Sequence, residues 1–89
     1  MYKIELSNLA GKELEKIYRS DPKLYSRFIT VIESLKIAPL QGKCLKGKLK
    51  GDYSFLVGDY RIIYTIHKYR LLVYIIDLGH RGEIYRQRS

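Results

Sequence analysis

Three side chains that can act on a phosphodiester lie close together near the end of the chain, in the segment Gly79-His80-Arg81-Gly82-Glu83-Ile84-Tyr85. Histidine, with an ordinary pKa near 6.5, can take or give a proton near neutral pH. Arginine offers a fork of donors to a phosphate, and tyrosine can stack on a base or donate its proton. The same segment also fits a basic tail with an incidental histidine, so both interpretations stay open on these residues alone.

These residue types match a reaction that RNA undergoes without a metal ion. The 2′-hydroxyl attacks the adjacent phosphate, which needs a base, positive charge on the phosphate and an acid for the departing 5′-oxygen. A further candidate is Arg61, in the strand-like run Tyr60-Arg61-Ile62-Ile63-Tyr64. Strand alternation puts Arg61 on one face of the strand, and the other face, which we expect to meet the helices, carries Tyr60, Ile62, Tyr64 and Ile66. The alternative for Arg61 is structural, either stacking on a tyrosine or pairing with Asp59 or Asp77.

A group of four lysines precedes this strand: Lys43, Lys46, Lys48 and Lys50. The last three have a period of two, so in an extended strand they would point to one side and could follow a phosphate backbone. The alternative is an edge strand that its lysines protect from aggregation. We interpret His67, in a predicted hairpin loop, and Cys44 as structural residues.

The charge of the chain is concentrated in its second half. Lysine and arginine number 17 and aspartate and glutamate 9, which gives a net charge of +8. Residues 1–42 hold 7 basic and 5 acidic side chains, and residues 43–89 hold 10 and 4, so the second half carries +6. Such an excess attracts polyanions, with solubility as the alternative explanation.

Composition excludes several classes of protein. An apolar fraction of 46% is too high for a disordered basic tail, and no apolar run is long enough for a membrane span. Because the first residues hold no long apolar segment and no cleavage-site pattern, we expect no signal peptide, and a single cysteine fits a reducing, cytoplasmic setting. With one cysteine and two histidines, we expect neither a metal site nor a cofactor.

The first half of the chain predicts a short strand and a helical hairpin. Tyr2–Leu6 alternates weakly, and Ser7 or Asn8 can then cap a helix. Asp21-Pro22 starts a second helix, which Pro39 ends. The apolar faces of the two helices are predicted at Ala10, Leu14, Ile17 and Tyr18, and at Leu24, Phe28, Val31, Ile32 and Leu35.

The second half predicts a sheet. Candidate strands are Cys44–Lys50, Tyr53–Val57, Tyr60–Ile66 and Leu71–Asp77. Gly51-Asp52 and Gly58-Asp59 are predicted as two-residue loops, with glycine first as in a type II′ turn, and Leu78–Ser89 as a polar tail. We therefore expect one α+β domain over residues 1–89, of order β-α-α-β-β-β(-β). Its helical hairpin packs on one face of a mostly antiparallel twisted sheet, and the partly open other face carries the function.

Two motifs in this order of elements resemble a known family. The sequence is similar to the RelE/ParE toxins of bacteria and archaea, in their RelE-like branch. The similarity lies in Gly58-Asp59-Tyr60-Arg61-Ile62-Ile63-Tyr64 and in Gly79-His80-Arg81 with Ile84-Tyr85. The resemblance implies a toxin of a type II toxin–antitoxin pair that cleaves mRNA in the ribosomal A site and so inhibits translation. It also implies a cognate antitoxin, which we expect to be acidic or amphipathic and encoded nearby.

The resemblance also implies roles for individual residues. Arg61 and Arg81 resemble the two arginines that contact the scissile phosphate, and Tyr85 resembles the tyrosine that stacks on the mRNA base. RelE carries two lysines, one implicated as the base, where this chain has Ser54 and Leu56. His80 could fill the vacant role, as a histidine near the C-terminus does in YoeB-like toxins, and Lys48 or Lys50 could supply the missing charge.

The predicted catalytic set is thus Arg61, His80, Arg81 and Tyr85. The predicted RNA-binding set is Lys43, Lys46, Lys48, Lys50, Ser54 and Arg86. Two alternatives stay open. One is a ParE-type toxin that inhibits DNA gyrase without being an enzyme, and the other is a weakly active member of the family.

Overall fold

The computed structural model describes residues 1–47 and 51–80. Its helices and strands run in the order β-α-α-β-β-β-β, as predicted. Their bounds are β1 Lys3–Leu6, α1 Asn8–Ser20, α2 Pro22–Ile37, β2 Lys43–Cys44, β3 Tyr53–Val57, β4 Tyr60–His67 and β5 Leu72–His80. Short 3-10 turns at Pro39–Gln41 and Lys68–Arg70 precede β2 and β5.

Each α-helix begins at a polar side chain that accepts a backbone hydrogen bond. Ser7 Oγ accepts from the N–H of Ala10 at 3.0 Å, and Asp21 Oδ1 accepts from the N–H of Leu24 at 3.2 Å. Pro22 follows as the first helical residue, where the missing N–H would have had no partner in the helix. The structure confirms both predicted helix starts and selects Ser7, rather than Asn8, as the cap of α1.

A β-bulge in β5 accepts a hydrogen bond from the residue that caps α1 and so joins this helix to the sheet. The register between β4 and β5 shifts after Ile63, and Ile76 is the extra residue on β5. The carbonyl of Ile76 accepts a hydrogen bond from Ser7 Oγ at 2.6 Å. The Ser7 hydroxyl therefore caps a helix and, at the same time, satisfies the carbonyl of the bulge.

Replacing Ser7 with alanine is expected to lower the free energy of unfolding by about 2 to 3 kcal/mol, because a cap is lost and a partly buried carbonyl loses its donor. Urea unfolding followed by circular dichroism measures the change. Ser20→Ala is the matched control, since Ser20 Oγ bonds to Lys16 on the exposed side of the same helix. A loss no larger than that of the control would contradict the double role of Ser7.

The sheet has the strand order β1-β5-β4-β3-β2. β1 pairs with β5 in parallel, and the other three pairs are antiparallel. The parallel edge follows from the helical hairpin, which carries the chain back across the sheet before β2 begins. The prediction of a mostly antiparallel sheet covered by two helices is confirmed.

The core lies between the helices and one face of the sheet. Its buried side chains are Ala10, Leu14, Ile17, Leu24, Phe28, Ile32, Leu35, Val57, Ile62, Tyr64, Val73, Ile75 and Leu78. Tyr60 and Ile66 pack against this cluster, which confirms the predicted helix-facing side of β4. One predicted core residue is wrong, since Tyr18 is 59% exposed and meets Tyr25 edge-on at the end of the hairpin.

The strand predicted over Cys44–Lys50 is wrong over residues 45–47, which are not in a strand, and residues 48–50 lie outside the described residues. β2 consists of Lys43 and Cys44 alone, which pair with Ser54 and Tyr53. Gly47 has a φ of +73°, outside the range of an extended strand. Gly51-Asp52 is therefore not a two-residue hairpin loop, because β2 has already ended at Cys44.

The hairpin at Gly58-Asp59 is as predicted. Val57 pairs with Tyr60 directly, and Gly58 has a φ of +62° at the first loop position, as a type II′ turn requires. The next predicted hairpin, with its loop at residues 67–70, is also present, but its loop spans residues 68–71, because His67 is the last residue of β4 and pairs with Leu72.

The last strand is longer than predicted. β5 continues past Asp77, because Leu78, Gly79 and His80 pair with Ile62, Arg61 and Tyr60 and extend the ladder of β4. Leu78 is buried in the core, so this part of the predicted polar tail is strand. Residues 81–89, the rest of that tail, lie outside the described residues.

Candidate functional site

Arg61 lies on the sheet face opposite the helices, as predicted. Because cross-strand partners point to the same side, the pairings of β2 to β5 define the other members of this face. We call it the Arg61 face, formed by Lys43, Ser54, Leu56, Arg61, Ile63 and Asp77. Gly79, the register partner of Arg61 on β5, adds backbone but no side chain beside it.

The guanidinium of Arg61 is held by a neighbouring strand. Arg61 Nη1 donates a hydrogen bond to Ser54 Oγ at 3.1 Å, and the Nε atom of Arg61 is buried. Ser54 stands diagonal to Arg61, because the residue that pairs directly with Arg61 is Leu56. A long side chain reaches a diagonal neighbour across a sheet, so the contact follows from the register.

The centre of the Arg61 face is more enclosed than predicted. Ser54 and Asp77 are only 3% and 2% exposed, and Ile63, which pairs with both, is fully buried. Arg61 itself is partly exposed, and Leu56 beside it is 52% exposed. The prediction of a partly open face therefore holds at Arg61 and Leu56 and at Lys43 on the sheet edge, and it is wrong at the centre, where Ser54, Ile63 and Asp77 are buried.

Two of the predicted RNA-binding residues take positions that differ from the expectation. Lys46 is exposed but lies beyond the end of β2, outside the sheet. Ser54 is buried, and its hydroxyl serves Arg61. A third, Lys43, pairs with Ser54, so it lies on the Arg61 face and is exposed at the edge of the sheet.

His80 is not on the Arg61 face. It pairs with Tyr60, and its ring meets the Tyr60 ring edge-on with centroids 5.6 Å apart. Tyr60 in turn contacts Phe28 of α2 at 5.8 Å, so this stack lies on the helix side of the sheet. The structure thus places Arg61, Ser54 and Lys43 on one face of the sheet, with Arg61 and Ser54 in contact, and the exposed imidazole of His80 on the other face at the end of β5.

Five of the predicted site residues lie outside the described residues: Lys48, Lys50, Arg81, Tyr85 and Arg86.

A second polar cluster anchors the edge strand that carries Lys43. The buried Tyr64 hydroxyl donates to the carbonyl of Pro39 at 2.7 Å and accepts from the N–H of Gly42 at 3.0 Å. Burial raises the pKa of Tyr64, and the Gly42 N–H opposes that rise. Sequence reasoning gave Tyr64 a core position but missed this role, because nothing in the pattern of a strand shows where a phenol will find its partners.

Tyr53 and Cys44 stand beside this anchor. The Tyr53 ring stacks on the Tyr64 ring at 5.5 Å, and Cys44 is the register partner of Tyr53. A hydrogen bond with Cys44 and, to a lesser extent, burial raise the pKa of Tyr53. Both phenols therefore stay protonated at neutral pH and act as packing and hydrogen-bonding groups.

The described residues offer neither a metal cluster nor a membrane span. Within residues 1–47 and 51–80, three or more histidine, cysteine, aspartate or glutamate side chains nowhere gather as they would around a metal ion. In the same ranges, no helix has the length and apolar character needed to cross a membrane.

Comparison with known proteins connects this geometry to a family. Residues 4–85 match the family model described as the ParE toxin of the parDE type II toxin–antitoxin system. Toxin RelG of Mycobacterium tuberculosis is 30% identical over 88 residues, which cover 97% of this chain and 98% of that protein.

Solved structures share the fold. The RelBE2 toxin–antitoxin complex of Mycobacterium tuberculosis matches with a TM-score of 0.79 and 28% identity, over 90% of this chain and 98% of that one. A YoeB/ParE toxin from Agrobacterium tumefaciens matches with a TM-score of 0.80 and 19% identity, over 88% and 96%. Since the family model and the curated relative each span nearly the whole sequence, the chain belongs to the RelE/ParE family and is a toxin of a type II toxin–antitoxin system.

Proposed function

We propose that this toxin is a ribosome-dependent endoribonuclease that cleaves mRNA in the A site and thereby inhibits translation in the cytoplasm. The observation that carries the proposal is the position of Arg61, which stands on the sheet face away from the helices with its guanidinium oriented by Ser54. Similarity to Toxin RelG and to the RelBE2 toxin over nearly the whole chain supports the same activity.

In the proposed reaction the mRNA supplies its own nucleophile, the 2′-hydroxyl next to the scissile phosphate. The new bond between the 2′-oxygen and phosphorus closes a 2′,3′-cyclic phosphate as the 2′-hydroxyl loses its proton. The bond from phosphorus to the 5′-oxygen breaks, and that oxygen takes up a proton and leaves as a 5′-hydroxyl. Arg61 stabilises the negative charge that builds on the phosphate oxygens, because an oriented guanidinium on a partly desolvated face is stronger than one in water. Lys43, exposed on the same face, adds attraction for the neighbouring phosphates.

The roles proposed for the other catalytic residues are those that the resemblance to RelE-like toxins implies. Arg81 is the proposed second phosphate ligand and Tyr85 the proposed stacking residue. His80 is the proposed proton acceptor for the 2′-hydroxyl, since it is exposed and follows Gly79, the register partner of Arg61. Its imidazole lies on the helix side of the sheet, so the scissile nucleotide must approach around the end of β5 for the two groups to act together.

We also propose a cognate antitoxin as the protein partner. The RelBE2 and RelBE structures that resemble this chain are toxin–antitoxin complexes. A net charge of +8, together with the exposed lysines of the sheet edge, suits a partner with acidic segments.

One observation favours a second candidate function. The matching family model is named for ParE, so inhibition of DNA gyrase without catalysis is the alternative. The oriented guanidinium of Arg61 on the Arg61 face is the observation that favours phosphate chemistry over this alternative.

Purified ribosomes programmed with a defined mRNA test the proposal. We expect the wild-type toxin to cut the mRNA within the A-site codon and to leave gyrase supercoiling unchanged at the same concentration. Intact mRNA together with inhibited gyrase would contradict the proposal and support the ParE-type function.

A further inference from the structure

The side chain of Ser54 lies where it cannot contact a bound RNA directly. The residue is only 3% exposed, and its hydroxyl oxygen already accepts the Arg61 Nη1–H at 3.1 Å. At 3% exposure, the hydroxyl offers almost no surface to a phosphate oxygen of a bound RNA. The sequence-based prediction of Ser54 as an RNA-binding residue therefore does not describe what its side chain does in this structure.

The hydroxyl of Ser54 constrains the orientation of the Arg61 side chain. An arginine side chain has four rotatable bonds and loses much rotamer freedom when a substrate fixes it. A hydrogen bond from a short side chain on the neighbouring strand removes part of that freedom before the substrate arrives. Preorganisation of this kind acts mainly on the chemical step, because the donors are already aimed at the developing charge.

The surroundings of this hydrogen bond strengthen it. Ser54, Ile63 and Asp77 form a continuous row across β3, β4 and β5, and all three are buried. Polar contacts in such a low-dielectric environment are stronger than contacts exposed to water. The buried row therefore acts as a rigid base beside the partly exposed Arg61.

We propose that Ser54 is a positioning residue that orients the guanidinium of Arg61 for phosphate contact. The proposal rests on the proposed ribonuclease function for its kinetic consequence. It assigns the serine, which stands where RelE has a lysine, a role that requires neither charge nor contact with RNA. The orientation of Arg61 is a property of the free toxin and can be measured without any substrate.

Single-turnover cleavage on saturating programmed ribosomes tests the kinetic consequence. We expect Ser54→Ala to lower the rate constant of cleavage by about 10-fold, because one hydrogen bond to a charged group is lost. The ribosome concentration that gives half of the maximal rate should not change. Ser54→Thr keeps the hydroxyl and should stay within about 3-fold of wild type. Ser26→Ala, which removes an exposed hydroxyl on α2, is the matched control and should have no effect.

A double-mutant cycle separates positioning from a general structural role. If Ser54 acts through Arg61, Ser54→Ala causes no further loss in the Arg61→Ala background. An equal loss in both backgrounds would overturn the proposal, and so would a folded Ser54→Ala variant that cleaves at the wild-type rate.

Nuclear magnetic resonance of the arginine side chains supplies a readout that needs no activity. In the free wild-type toxin we expect slow rotation of the Arg61 guanidinium, seen as resolved Nη signals, and in Ser54→Ala we expect these signals to merge. Unchanged Arg61 signals would overturn the positioning role even if cleavage fell. If the wild-type toxin does not cut mRNA, the proposed function fails, and the spectra alone decide whether Ser54 orients Arg61.

Discussion

Arg61→Ala is expected to lower the rate constant of mRNA cleavage on programmed ribosomes by about 10²- to 10³-fold, the range seen when one group that stabilises transition-state charge is removed. The reason is the position of the guanidinium on the Arg61 face, where Ser54 orients it and Lys43 adds charge nearby. Folding should survive, because Arg61 is partly exposed and lies on the side of the sheet away from the helices. Single-turnover kinetics measures the rate, and circular dichroism checks the fold.

Two further variants show which property of Arg61 matters. Arg61→Lys keeps the positive charge but loses the planar fork of donors, so we expect a rate at least about 10-fold below wild type. Arg19→Ala removes the same charge from α1, where Arg19 pairs with Glu15 and is largely exposed. That control should cleave within about 2-fold of wild type. Equal cleavage rate constants for Arg61→Ala and Arg19→Ala would show that Arg61 takes no part in the reaction.

Gly42→Ala is expected to lower the free energy of unfolding by about 2 to 4 kcal/mol. A Cβ at this position would lie 2.4 Å from the Tyr64 hydroxyl and 2.9 Å from the carbonyl oxygen of Ser54. The Gly42 backbone, with φ −73° and ψ 167°, suits any residue, so the cost comes from the collision alone. Relief of the collision requires the loss of the hydrogen bonds that join Tyr64 to Pro39 and Gly42.

Gly11→Ala is the control with the opposite sign. No atom lies within 4 Å of a Cβ built on Gly11, which is inside α1. Alanine there should raise the free energy of unfolding by up to about 1 kcal/mol, through helix propensity alone. Denaturant unfolding of both variants checks the pair. A Gly42→Ala variant as stable as wild type would mean that the Tyr64 anchor does not hold the edge strand.

Periodicity predicted the parts of the fold that depend on local chemistry. Asp21-Pro22 carries a cap and a proline that start a helix in almost any context, and Gly58-Asp59 carries the backbone freedom of its turn. The alternation of Tyr60, Ile62 and Tyr64 is enough to put Arg61 on the correct face, because a strand has only two faces. These predictions needed no knowledge of distant parts of the chain.

The errors arise where distant residues decide the outcome. β5 continues to His80 because β4 supplies hydrogen bonds that the polar sequence after Asp77 does not reveal. The extra residue at Ile76 is stabilised by Ser7, far away in the sequence. Lys46 follows a period of two, yet it lies outside the sheet, because the pairing of β2 with its neighbour ends at Cys44.

The candidate site was predictable in its residue types and less so in its arrangement. Arg61 was identified from its motif and its face. The burial of Ser54 does not follow from the alternation of its own strand, and the separation of His80 from Arg61 depends on the register between β4 and β5. A one-residue shift of that register would have put both groups on one face, which is why the sequence alone could not decide the matter.

Two mRNAs that differ by one oxygen atom test most directly whether the toxin cleaves mRNA through attack by the 2′-hydroxyl. Both are placed on programmed ribosomes with the purified toxin, one with an ordinary 2′-hydroxyl at the scissile nucleotide of the A-site codon and one with a 2′-deoxy sugar there. We expect that only the hydroxyl-bearing mRNA is cut, and that the upstream fragment ends in a 2′,3′-cyclic phosphate. Cleavage of the 2′-deoxy mRNA at a comparable rate, or no cleavage of either, would contradict this expectation.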